Sequence, residues 1–234
     1  MKRILSALAL AAILGNASAQ DKQNETIEGN GKLVTRDINV QPFDALNASG
    51  VYELKLVQGD KESVKIEADE NLQELFTVKN DGSQLNIEMK KNISLRGKMR
   101  VKVYVTFRNL KSIELSTVGN VSTEKQLTFS DLILKNKSVG NVNLNFTANK
   151  LDLKNTSVGN LKLQGKAQTA VFKNSGVGNL RAGELIVQSM DIDNSGVGNA
   201  EVNAEKELKV SDNMLGRVTN KGAAPMKKSN KVVI

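Results

Sequence analysis

The chain has 234 residues, a formal net charge of +8, 39% hydrophobic and 25% charged residues. That composition is globular, and too polar for a protein with several membrane spans. Cysteine, histidine and tryptophan are all absent, which removes disulfide frameworks, thiolate nucleophiles, Cys- or His-ligated metals and histidine acid–base chemistry. Carboxylate hydrolases, Lys- or Arg-based lyases and oxygen-ligand cation sites survive.

Lys2 and Arg3 precede an apolar run, Ile4–Gly15, and then Ala17-Ser18-Ala19 before Gln20. This is the layout of a secretory signal peptide over 1–19, cleaved between Ala19 and Gln20; an amphipathic helix is the alternative. The run is shorter than the roughly 20 apolar residues that a spanning helix needs. Residues 20–32 read as a flexible segment. From Val34 onward short alternating strands dominate, among them Tyr52–Leu56, Val64–Ile66, Leu85–Met89 and Val101–Val105. Gln58-Gly59-Asp60 and Asn80-Asp81-Gly82-Ser83 read as tight turns between strands. A helix of about two turns is expected over Asp69–Phe76. No linker divides the chain, so 33–225 is expected to be one domain, followed by a Lys-rich tail, 226–234.

Lys90, Lys91, Arg96, Lys98, Arg100, Lys102, Arg108 and Lys111 follow one another with no acid between them. Strand alternation sends Arg100, Lys102, Tyr104, Thr106 and Arg108 to solvent and Val101, Val103, Val105 and Phe107 to the core. Arg100, Lys102, Tyr104 and Arg108 are therefore the candidate ligand face, suited to phosphates or an anionic polysaccharide. The competing reading is a solvated face that blunts a sheet edge.

The second half repeats. STVGN (Ser116–Asn120), KSVGN (Lys137–Asn141), TSVGN (Thr156–Asn160) and SGVGN (Ser175–Asn179 and Ser195–Asn199) are followed by a degenerate NMLGR at Asn213–Arg217. Two residues after each glycine stand Val121, Val142, Leu161, Leu180, Ala200 and Val218. Immediately before it stand Val118, Val139, Val158, Val177, Val197 and Leu215. Six before it stand Ile113, Leu134, Leu153, Phe172, Ile192 and Val210. These Val and Leu files are expected to face inward as a shared core. A step of about 20 residues, too short for a propeller blade and without the leucine-rich order, fits one coil of a parallel β-helix, an all-β solenoid. Gly119, Gly140, Gly159, Gly178 and Gly198 would take a backbone shape that a β-carbon disfavours. Asn120, Asn141, Asn160, Asn179 and Asn199, with Asn136, Asn155, Asn174 and Asn194, would form hydrogen-bonded ladders. Files that bind sugars or a cation are the alternative; the structural role is favoured.

Phe43–Lys91, the strand Val101–Phe107 and the SxVGN repeats together resemble the auto-transporter adhesin family with a head GIN domain, over roughly 33–225. The resemblance implies an exported protein of a Bacteroidetes-type bacterium and a right-handed single-stranded β-helix. It supplies no catalytic residues. A C-terminal membrane β-barrel is not evident in 219–234, so a complete autotransporter is not expected.

Asp131, Asp152, Asp191 and Asp193 offer a carboxylate strip for glycoside hydrolysis, but the repeats are short and regular, with no long loop to wall a cleft. Glu28–Lys32 lacks phosphate-loop spacing. Nucleic acid is a poor partner, since aromatics are 3% of the chain and no recognition motif is present. The expected function is a non-catalytic, cofactor-free, adhesin-like protein of the periplasm or cell surface. Its extended polar surface would meet a glycan, a matrix component or an envelope protein, with self-association possible through solenoid faces or ends. A periplasmic assembly scaffold and a polysaccharide-active enzyme are the alternatives.

Overall fold

A computed structural model describes residues 25–97, 100–212 and 216–228. The signal segment 1–19 with its Ala19–Gln20 junction, Lys98, residues 213–215 of the degenerate repeat and residues 229–234 lie outside the described residues. Among the described residues no helix is long and apolar enough to cross a membrane.

The first half alternates buried and half-exposed positions with period two, so it forms strands: β1 (Glu25–Glu28), β2 (Leu33–Asn39), β3 (Ala45–Val51), β4 (Glu53–Gln58), β5 (Ser63–Asp69), β6 (Phe76–Asp81), β7 (Gln84–Met89), β8 (Ile93–Arg96) and β9 (Lys102–Phe107). The helix expected over Asp69–Phe76 forms as a 3-10 helix, Glu70–Leu75, that buries Leu72 and Leu75. The repeat region gives β10 (Ser112–Val118), β11 (Val121–Thr123), β12 (Leu127–Thr128), β13 (Asp131–Asn136), β14 (Val142–Asn155), β15 (Leu161–Asn174), β16 (Leu180–Asn194), β17 (Ala200–Asp212), β18 (Val218–Asn220) and β19 (Met226–Lys228).

The expected right-handed parallel β-helix over 33–225 is corrected. Strands β1 and β8 form a separate pair, and the other 17 strands make one mixed sheet whose additional pairings fold it back into a nearly closed, barrel-like form. The pairs β2–β5, β5–β9 and β6–β7 are antiparallel. Parallel pairing at a constant step of about one repeat runs only through the second half, from β10 and β13 to β18 and β19. The reason is local. The full SxVGN repeat begins at Ser116; upstream only Ser49-Gly50-Val51 shares part of it, stacking on Ser116–Val118. The turn signal at Gly82-Ser83 makes a tight reversal between β6 and β7, with Gly82 at φ +56°, and a tight hairpin dictates antiparallel neighbours.

Two inward files form as expected. Leu134, Leu153, Phe172 and Ile192 are fully buried, as are Val142, Leu161 and Leu180 to within 1%. They join one continuous core with Leu54, Val103 and Phe107 of the first half. The third file is corrected: Val118, Val139, Val158, Val177 and Val197 are 48–52% exposed. Parity explains it. With Leu134, Asn136, Ser138 and Val142 inward, strand alternation sends Val139 outward.

Gly119, Gly140, Gly159, Gly178 and Gly198 hold φ between +123° and +141°. A β-carbon on Gly159 would collide with the carbonyl of Gly140 on the preceding repeat. Replacing Gly159 by Ala therefore combines strain with a backbone clash, an expected loss of about 3 kcal/mol. Gly31→Ala, at φ +77° with open space around it, should cost only about 1 kcal/mol. Urea denaturation of the two variants checks the difference, and equal losses would refute the close-approach account.

Candidate binding surface

The buried asparagines run through the repeats as one chain of amides. Nδ2 of Asn136 donates to Oδ1 of Asn155 at 2.9 Å, Asn155 to Asn174 at 2.7 Å, and Asn174 to Asn194 at 2.6 Å. All four are at most 5% exposed, so this file faces the interior. Among the described residues Nδ2 of Asn194, at the end of the chain, has no partner.

A second file faces outward. Oδ1 of Asn120 accepts the Asn141 N–H at 3.2 Å, and Oδ1 of Asn141 accepts Nδ2 of Asn160 at 3.0 Å. Asn160 accepts Nδ2 of Asn179 at 3.2 Å, and Asn179 accepts the Asn199 N–H at 3.2 Å. The exposed valines lie two positions before these asparagines and are bridged repeat to repeat, Val118 to Val139, Val158, Val177 and Val197. Val118 also pairs with Val51 of β3. The outward surface therefore carries an apolar line beside an amide line, repeated at the strand spacing of about 4.8 Å.

The basic strip lies on β9, which is paired on both sides, parallel to β4 and antiparallel to β5. It does not blunt an edge. Strand β5 brings acids to it: Nε of Arg108 meets Oε1 of Glu62 at 2.7 Å, Lys102 meets Glu67 at 3.5 Å, and Arg100 lies 3.9 Å from Asp69. Lys65 sits 4.3 Å over the ring of Tyr104. Glu62 is nearly buried, and the Arg108 hydrogen bond holds its carboxyl below the ordinary range. The four strip residues thus stand in a ladder of mixed charge.

Elsewhere the register stacks Lys135, Lys154 and Lys173 on three successive strands between Glu114 and Asp193. The hydrogen bond from Lys137, reinforced by Lys135, lowers the pKa of Glu114. Asp131 and Asp152 are exposed on the same side, and Asp152 is separated from Asp191 by Val171 on the intervening strand. No group of three or more acidic residues among the described residues is placed to hold a metal ion.

Of the clefts that open outward among the described residues, two bear on the repeat half. One, of about 610 Å³, lies between the β4–β5 turn and the β11–β12 loop and is lined by Gln58, Asp60, Arg108, Glu124 and Lys125. Its corner is held by Gln58, whose amide donates to the carbonyls of Arg108 and Thr128, both at 3.0 Å, and accepts the Thr128 N–H at 2.8 Å. The other, of about 530 Å³, is lined by Asn179, Arg181, Asn199, Glu201, Arg217 and Thr219. Sequence reading missed Arg181 and Arg217, which lie two residues after the Asn in one repeat and at the Asn position of the degenerate one. Aligning residues beyond the glycine would have brought them onto neighbouring files.

Residues 42–224 match the model of the family described as "Putative auto-transporter adhesin, head GIN domain". A crystal structure of a "putative adhesin" from Bacteroides fragilis is 30% identical, covers 87% of this chain and 94% of its own, and superposes with a TM-score of 0.82. A "putative lipid binding protein" from Parabacteroides distasonis is 16% identical, with a TM-score of 0.54 and coverage of 88% of this chain and 100% of its own. A "putative adhesin" from Parabacteroides merdae is 17% identical, with a TM-score of 0.51 and the same two shares, 88% and 100%. At those last identities the likeness is one of fold. Among curated proteins none matches.

Removing the middle of the amide chain strands a donor on Asn136 and an acceptor on Asn174. Asn155→Ala is therefore expected to cost about 3 kcal/mol, and Asn194→Ala, at an end already unsatisfied, about 1 kcal/mol less; chemical denaturation ranks them. The lowered carboxyl pKa values set an acid limit. Glu62 and Glu114 stabilise the fold above their ordinary value of 4.5, and that contribution disappears as pH falls through their depressed folded values. Melting temperature should therefore drop below about pH 4.5, with a shallower acid slope in Glu62→Gln. An unchanged slope would remove Glu62 from the account.

Proposed function

The chain belongs to the auto-transporter adhesin, head GIN domain family, and on that premise we propose that it is an exported, non-catalytic binding protein of the cell envelope. It meets its ligand along an extended outward surface. The observation that carries this reading is the pair of outward files, Asn120 to Asn199 and Val118 to Val197, running unbroken across successive repeats. A surface that offers the same amide and the same apolar contact at every strand spacing suits a long ligand held by many weak contacts. Each contact beyond the first is made at high effective concentration.

The residue types agree with contact rather than turnover. The cations of β9 are engaged by the acids of β5, and the candidate carboxylates Asp152 and Asp191 stand on an exposed side of the repeats. The signal-like segment 1–19 supports passage across the inner membrane.

Protease treatment of intact native cells tests the location, with a known periplasmic protein as control. Digestion of this protein while the control survives is the expected result. Protection on intact cells, with digestion only after lysis, would replace adhesion by the periplasmic-scaffold reading.

A further inference from the structure

Two arginines stand near the C-terminal end of the repeats, Arg217 in the outward asparagine file and Arg181 in the file beside it, next to Glu201. Lys162 is held by Glu184 at 2.7 Å and Lys221 by Glu201 at 3.4 Å, whereas Arg181 and Arg217 make no ion pair among the described residues. Both are exposed, and both line the cleft of about 530 Å³. Register explains why they meet there. Arg181, Glu201 and Thr219 succeed one another on β16, β17 and β18. Asn179, Asn199 and Arg217 form the adjacent file, tied by the Asn199 N–H to Oδ1 of Asn179 at 3.2 Å and by the Ala200 N–H to the Arg217 carbonyl at 2.9 Å. Buried Leu180 also lines the cleft, and half-exposed Val177 and Val197 occupy the next outward positions of the same two repeats.

We propose that this cleft is a subsite for a carboxylate-bearing sugar, a uronic or sialic acid residue of a glycan. The proposal rests on the adhesive reading above and names its ligand chemistry. A guanidinium presents a planar fork of N–H donors that matches a carboxylate with two parallel hydrogen bonds. The Asn199 amide and the Thr219 hydroxyl both donate and accept, as sugar hydroxyls require. Glu201, anchored by Lys221, accepts from a ligand hydroxyl and opposes a bare dianion such as phosphate. The valines give the C–H face of a sugar ring an apolar contact. A volume of this size lies within the usual range for small-molecule sites.

The test is isothermal titration of the full chain with tetragalacturonate and with sialyllactose, each beside its methyl ester, and with inorganic phosphate as competitor. At least one free acid is expected to bind about tenfold more tightly than its ester. Arg181→Gln and Arg217→Gln should each erase about that factor, and Lys79→Gln, at a remote exposed site, should change affinity less than about twofold. Equal binding of acid and ester overturns the proposal. So does indifference to both arginine substitutions, full displacement by phosphate at equal concentration, or arginine-dependent binding of an acidic peptide as tight as that of the sugar. The two readings fail separately. Neutral glycans bound without the arginines would leave adhesion standing and remove this subsite, whereas acid-selective binding by a protein confined to the periplasm would keep the subsite and remove adhesion.

Discussion

A buried amide must hydrogen-bond or lose stability, and in this protein three of the four ladder asparagines send their donor to the next repeat, while Asn136 and Asn155 also accept from Ser138 and Ser157 of their own repeat. Asn136, Asn155, Asn174 and Asn194 each sit where water does not reach, and the donors of the first three lie opposite the acceptor one strand on. A slip of one residue toward the N-terminus would turn the amides outward and put Lys135, Lys154, Lys173 and Asp193 in their place, a cost far above that of any surface contact. The ladder therefore fixes register from β13 to β16, and the outward positions inherit it. The glycine file imposes the same discipline from the backbone, because each repeat passes too close to the one before it for a β-carbon to fit.

Once register is set, the outer surface is no longer free. The valine before each glycine is carried outward by alternation and stacks on its equivalents. Such β-branched neighbours are favourable cross-strand pairs, so the line stabilises the ladder while remaining half open to solvent. The asparagine after each glycine stacks likewise. At the C-terminal end the asparagine position becomes Arg217 and the neighbouring file supplies Arg181 and Glu201, and a uniform surface becomes a chemically distinct cleft.

Much of the repeat half was legible in sequence. Period two, the inward Leu134–Leu153–Phe172–Ile192 file and the glycine positions all follow from aligning SxVGN. The outward valines were legible too, since Asn136 and Val139 differ in parity, but apolar character was allowed to outweigh alternation. The uniform parallel helix failed because the geometry of one half was extended over a half that lacks the repeat. There, the reversal at Gly82-Ser83 already implied antiparallel pairing. Alternation along 100–108, on and beside β9, was legible, with Val101, Val103, Val105 and Phe107 buried, yet the neighbours of its basic residues could not be read. Glu62, Glu67 and Asp69 lie more than thirty residues upstream, and only the β5–β9 register brings them alongside.

By itself the sequence determined the all-β class, the repeating step, the composition of each file and the chemistry that the chain lacks, because these depend on residue type and local periodicity. Only the tertiary structure decided the mixed order of the sheet, the pairing of the β9 cations with upstream acids and the placing of Arg181 and Arg217 on one cleft. Each of those depends on which strands become neighbours. That choice is made by burial and hydrogen bonding summed over the whole sheet, between residues far apart in the chain.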